Sequence, residues 1–97
     1  MTALSAADAA VRQARAAEAQ TYAPVELRFA EDKLSRARSA ADAEEYTLAI
    51  ELAAQAQVDG ELAEAKSLAA RARAEVRQKT EENARMSREL LGEGERP

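Results

Sequence analysis

Three features of this 97-residue chain predict an all-α fold, an antiparallel three-helix bundle or helical hairpin with a long third helix. Ala, Glu, Arg, Gln and Leu dominate it, all strong helix formers, and no stretch alternates β-branched or aromatic residues at period two. Aromatic residues make up 3% of the chain, so its helices must pack closely through small side chains. The two prolines are Pro24 and Pro97, which leaves the long stretch from residue 44 to 91 without a helix breaker. A chain of this length makes one small domain (residues 1–91) with a thin core, since it buries only about 60 to 65% of its unfolded surface.

The first helix is expected over about residues 3–20. Thr2 or Ser5 can accept hydrogen bonds from the unpaired N–H groups at its start. Leu4, Ala7, Val11 and Ala14 form its apolar stripe, and Asp8 precedes Arg12 by four residues on the solvent side.

Pro24 has no N–H to donate, and its ring disfavours helix at Ala23, so the chain should turn at residues 20–23 and restart with Pro24 in the first turn. In the second helix, about residues 24–41, Leu27, Ala30, Leu34, Ala37 and Ala41 line one face while Val25 and Phe29 point nearly the other way. Two apolar faces predict a helix in the middle of the bundle, with the first and third packed around it. Tyr22 and Phe29 are then core plugs at the bundle end rather than platforms for a ligand.

Asp42 is a plausible cap for the third helix, expected over about residues 44–91. At about 1.5 Å per residue it reaches roughly 70 Å, against about 25 Å for each of the others, which therefore cannot cover it side by side. Before Gly60, the residues Tyr46, Ala49, Ile50, Ala53 and Gln57 share a broad face; after it, the apolar stripe is rotated by roughly 100° or more. That stripe has seven-residue spacing, with Leu62, Ala69, Val76, Asn83 and Leu90 in one register and Ala65, Ala72, Lys79 and Met86 in the other. Asn83 resembles the polar residue that fixes register in two-stranded coiled coils. The candidate interaction seam is thus Leu62, Ala65, Ala69, Ala72, Val76, Asn83, Met86 and Leu90, for a homodimer or a protein partner. Gly60 costs about 1 kcal/mol relative to Ala, which neighbouring helix formers absorb, and it permits close backbone approach; a continuous or gently bent helix is expected. The tail, residues 92–97, holds two glycines and the terminal proline and should be disordered.

The absence of His and Cys removes the commonest general base, most nucleophilic dyads and most zinc sites. Glu44 with Glu45 and Glu81 with Glu82 are adjacent, and helix neighbours point about 100° apart, so neither pair converges on one proton or metal. No glycine-rich phosphate loop is present, since the glycines are Gly60, Gly92 and Gly94. Neither catalysis, cofactor nor metal is expected; an enzyme working through carboxylates alone is the remote alternative.

The net charge of −4 argues against a nucleic-acid binder. Its distribution is uneven, because residues 66–88 hold seven basic and three acidic side chains. Lys66, Arg73, Arg77 and Arg88 form a candidate basic flank that could meet an anionic lipid or glycan, although the interspersed acids favour a solvated surface. No apolar run approaches the roughly 20 residues of a membrane span, and residues 1–10 lack the pattern of a signal peptide.

The stretch Tyr22, Ala23, Pro24, Glu26, Leu27, the Lys33-Leu34 step, the Tyr46 that opens a Leu-Ala repeat to Ala56, and the Asp-x-Glu-Leu-Ala step at residues 59–63 together resemble a bacterial family, domain of unknown function 4398. The likeness covers about residues 7–77. It implies export, often as a lipoprotein of the periplasm or cell envelope, and in some members a following peptidoglycan-binding domain of the outer-membrane-protein-A type, which this sequence does not contain. Where relatives often have Gly before the third-helix Tyr, this chain has Ala43, Glu44 and Glu45, and Gly60 stands where Ala is expected. With no leader in the sequence, a trimmed chain with an added Met1 is expected, a cytoplasmic protein being the alternative. The function expected is a non-catalytic interaction module of the cell envelope acting through its long third helix, with peptidoglycan or membrane association open. The alternative is binding of an anionic polymer or membrane surface by the basic flank.

Overall fold

The computed structural model describes the backbone of residues 1–95 and side-chain environments to Gly92. It is all-α among the described residues: α1 is Thr2–Ala16, α2 is Ala19–Tyr22, α3 is Pro24–Asp42 and α4 is Tyr46–Glu95.

α1 starts without a side-chain cap. The Ser5 hydroxyl donates back to the Met1 carbonyl at 3.3 Å, so neither Thr2 nor Ser5 serves the N–H groups as expected. The helix also ends early, at Ala16 rather than Gln20. The Ala17 and Glu18 N–H groups bond back to the Gln13 and Arg15 carbonyls, and Glu18 takes a left-handed conformation with φ 66°. One further helical turn, α2, leads into non-helical Ala23 at φ −146° and ψ 56°, after which Pro24 opens α3. That position uses the proline's fixed φ and needs no N–H.

Asp42 is the last residue of α3 and does not cap the next helix. The connection is instead closed by backbone bonds: Glu45 N–H to Ala40 C=O at 2.8 Å and Glu44 N–H to Ala41 C=O at 3.0 Å, with Glu44 at φ 61°. This is the double bond pattern that ordinarily selects Gly at the left-handed position. Here Glu44 adopts it against the steric preference of its Cβ.

α4 runs unbroken through Gly60. A Cβ on Gly60 would lie 3.0 Å from the Ala10 Cβ and 3.0 Å from its carbonyl carbon, so this glycine sets how closely α1 and α4 approach. The helix continues past the expected end, taking residues 92–95 into its last turn, where the sequence suggests disorder; Arg96 and Pro97 lie outside the described residues.

The core is assembled from small side chains. Ala7, Ala10, Val11 and Ala14 of α1, and Leu27, Ala30, Leu34, Ala37 and Ala40 of α3, are buried against Ala49, Leu52, Ala53, Ala56 and Ala63 of α4. Ala40 is buried in the place expected for Ala41. The long helix is the centre of this packing: α1 and α3 both lie chiefly against α4 and touch each other less. The expectation that the second helix sits in the middle is therefore corrected. Its supposed second face is solvated, with Val25 and Phe29 59% and 55% exposed.

Ion pairs mark the register. Arg38 and Arg15 reach Asp8 and Glu31 at 2.7 and 3.3 Å, tying the start of α1 to the end of α3 and its end to the middle of α3. Lys33 meets Asp59 at 2.7 Å and Lys66 meets Glu26 at 2.6 Å, so α3 and α4 also pair with one index rising as the other falls. Along α4, the contacts of α1 and of the turn after it rise together, Ala10 at Gly60 and then Glu18 at Arg71. The chain thus folds back at Pro24 rather than straightening there, and the end of α1 and the start of α3 lie beside the middle of α4. The molecule measures 81 × 19 × 13 Å, which matches the roughly 75 Å that 50 residues of helix span at about 1.5 Å each.

Candidate association surface

α4 presents two kinds of surface. Apart from Leu52, its buried positions are Ala49, Ala53, Ala56, Gly60, Ala63 and Ser67, spaced alternately by four and three residues. Half-buried Ala70 and Ala74 continue the series. This is the seven-residue repeat of helices that wind around each other, built here from the smallest side chains, which lets three backbones approach closely. Gly60 belongs to the series and does not divide the helix into two faces. The continuous Ala/Gly/Ser register was visible in the sequence; Tyr46, Ile50 and Gln57, which the sequence reading placed on the packing face before Gly60, obscured it. Tyr46 and Ile50 are 55% and 50% exposed.

All eight seam residues, Leu62, Ala65, Ala69, Ala72, Val76, Asn83, Met86 and Leu90, are exposed. At about 100° per residue they fall roughly opposite the buried series, on the side of α4 that neither α1 nor α3 reaches. Because both series repeat every seven residues, they keep that opposition along the helix. Val58, 62% exposed, extends the seam toward the N-terminal half, and Leu48 and Leu68 add apolar surface that the sequence reading did not single out.

Beyond Ala74 the surroundings change altogether. Every residue from 75 to 92 is exposed, including Val76, Met86, Leu90 and Leu91 at 58 to 65%. A lone helix of this length is marginal in water, and within it the one side-chain hydrogen bond among the described residues is Gln78 to Glu82 at 3.3 Å.

The basic flank is not assembled as a unit. Lys66 is engaged by Glu26, and that hydrogen bond, the leading cause, holds the Glu26 carboxyl below the usual glutamate range. Arg73, Arg77 and Arg88 are exposed and make no ion pair within 4.0 Å among the described residues.

The aromatic side chains are not core plugs. Tyr22, Phe29 and Tyr46 are 38, 55 and 55% exposed, because a core of alanines leaves no room between helices for a ring. Tyr22 instead borders an open cleft of ≈ 390 Å³ where α4 leaves the bundle, with Leu68, Arg71, Ala72, Glu75 and Gln78 on its other side. No group of three metal-ligating side chains converges among the described residues, and no described helix is long and apolar enough to cross a membrane. Among the described residues one buried side-chain polar atom has no hydrogen-bond partner, the Ser67 hydroxyl oxygen.

No curated protein and no solved structure matches the chain. The family model described as domain of unknown function (DUF4398) matches residues 2–79, and the chain belongs to that family. The match takes in the packed helices and stops inside the uncovered part of α4.

Proposed function

We propose that this protein is a non-catalytic interaction module of the bacterial cell envelope, an antiparallel three-helix bundle that holds its long α4 out as an arm for association. The observation that carries the reading is the contrast along α4, where an apolar seam with seven-residue spacing faces away from the bundle and continues onto a segment that is exposed on every side. Exposed apolar stripes of this kind mark association surfaces. The crossing ion pairs between α1 and α3 and between α3 and α4 support the antiparallel arrangement. Placement in the envelope rests on the family resemblance alone.

Replacing both Val76 and Met86 with Asp tests the seam as the contact. Both side chains are exposed, so the variant should keep the helicity and melting behaviour of dilute wild-type protein while losing its association in light scattering. A variant that retains the wild-type associated mass would sink the seam as the contact.

Binding of an anionic polymer or membrane surface is the second reading, favoured by Arg73, Arg77 and Arg88, exposed on one long helix and without ion-pair partners within 4.0 Å among the described residues. Co-sedimentation with cell-wall sacculi or anionic vesicles should then weaken as salt rises, because ions screen such contacts beyond about 8 to 10 Å at physiological strength. Absence of binding at low salt would end that reading.

A further inference from the structure

The seam continues toward the start of α4 from residues 62–90, through exposed Val58 and Leu48, and its charge is divided. Residues 46–64 of α4 carry four acidic side chains and no basic one, whereas residues 70–88 carry six basic and three acidic ones, −4 against +3. Asp59 and Arg71 are partly neutralised by Lys33 and Glu18 of the same chain, and with both set aside the segments remain opposite, −3 against +2. A helix charged in this way is mismatched to a parallel copy of itself and matched to an antiparallel one.

We infer that the outer face of α4 docks on a second copy of this chain, antiparallel, with the two-fold axis beside Ser67. The inference rests on the reading of α4 as an association surface and adds the occupant and the register. In antiparallel pairs of heptad helices each residue of one seam position meets a residue of the other, and this axis makes every such layer from Leu48 to Met86 like with like, while Leu90 lies beyond the start of the partner's α4. Val58 meets the partner's Val76, Leu62 the partner's Ala72 and Ala65 the partner's Ala69. Farther out, Leu48 meets the partner's Met86, while the polar interruptions coincide, Gln55 with the partner's Lys79 and Glu51 with the partner's Asn83. The arm beyond Ala74, uncovered in one chain, is then covered by the acidic half of the other. The run of alanines next to the axis allows the two backbones to approach closely.

Two other self-pairings fit less well. A parallel pair in register sets Lys79 against Lys79 and basic segment against basic segment. Pairing of the arms alone, about an axis near residue 81, leaves Val58 and Leu62 uncovered and removes the charge match.

The chain has no cysteine, so cross-links report register cleanly. Two variants, Val58→Cys and Val76→Cys, are oxidised separately and as an equal mixture, with the molar mass of the wild type measured in parallel. The inference predicts a dimer in which the mixture cross-links strongly as the 58-to-76 species, each variant alone gives little, and dissociation increases with salt. Glu75→Lys, which removes a like-charge approach to the partner's Glu61, should tighten the dimer. Strong cross-linking of Val76→Cys with itself would overturn the antiparallel register, as would a wild-type dimer that yields no 58-to-76 product; in both cases α4 would still be the association surface provided the double Asp variant dissociates. A wild type that stays monomeric at all concentrations would overturn the second copy as the occupant and self-association with it.

Discussion

Residues 46–74 and 75–92 of α4 belong to one unbroken helix, yet one segment is rich in alanine and packed on two sides while the other is rich in charge and exposed throughout. In the first, positions at alternate spacings of four and three are Ala, Gly or Ser, and α1 and α3 settle into them. In the second, the same register holds Arg77, Glu81, Ala84 and Arg88, so the bundle-facing stripe turns polar just where the short helices end. The outer seam changes in a different way: it keeps large apolar residues, Val76, Met86 and Leu90, after the bundle has stopped. Burial inside the chain is thus tied to small residues on one face, while the opposite face holds the larger side chains and leaves them uncovered.

The largest effect should come from enlarging the small-residue stripe. Gly60→Val would drive a branched side chain into the Ala10 backbone, which a Cβ alone approaches to 3.0 Å, and should cost about 3 kcal/mol in denaturant unfolding. A comparably bulky change at exposed Ala72 should cost under about 0.5 kcal/mol in dilute protein. Equal costs at both sites would erase the distinction between the faces.

Glu44→Gly relieves a left-handed Glu at the joint that aims α4 and should stabilise by about 1 kcal/mol, read as a higher denaturant midpoint with unchanged slope. Ser67→Ala removes a buried hydroxyl that has no partner and should be stabilising by up to about 1 kcal/mol; a clear loss of stability would reveal a hydrogen bond there. The smallest effect concerns pH. The Glu26 carboxyl is depressed by Lys66, so the folded state binds its proton less readily than the unfolded chain. Its small contribution is present above the ordinary glutamate pKa and lost as pH falls through the depressed one. Glu26→Gln should flatten that acid-side slope slightly, and an unchanged slope would show that the pair is inert.

Helix identity, the restart at Pro24, the length of α4 and its continuity through Gly60 were legible because propensity and proline chemistry act locally. The early end of α1 was not, since it depends on a left-handed Glu18, a conformation no sequence rule assigns to Glu. The central helix was misassigned for a physical reason. Val25 and Phe29 are large and apolar and suggested a second packed face, yet alanine-lined helices approach too closely to admit them, so they are left outside. The seven-residue spacing of the apolar stripe was legible; that the bundle leaves the stripe exposed required the three-dimensional packing, because Leu62 and Ala63 are neighbours in sequence and lie on different faces of one helix.

Hydrogen exchange along α4, followed from low to high protein concentration, tests the central claim most directly. The account predicts that amides of residues 49–67 are protected throughout, whereas those of residues 76–91 exchange quickly in dilute protein and slow as concentration rises. Equal protection of both segments in dilute protein, or fast exchange of residues 76–91 at every concentration, would contradict it.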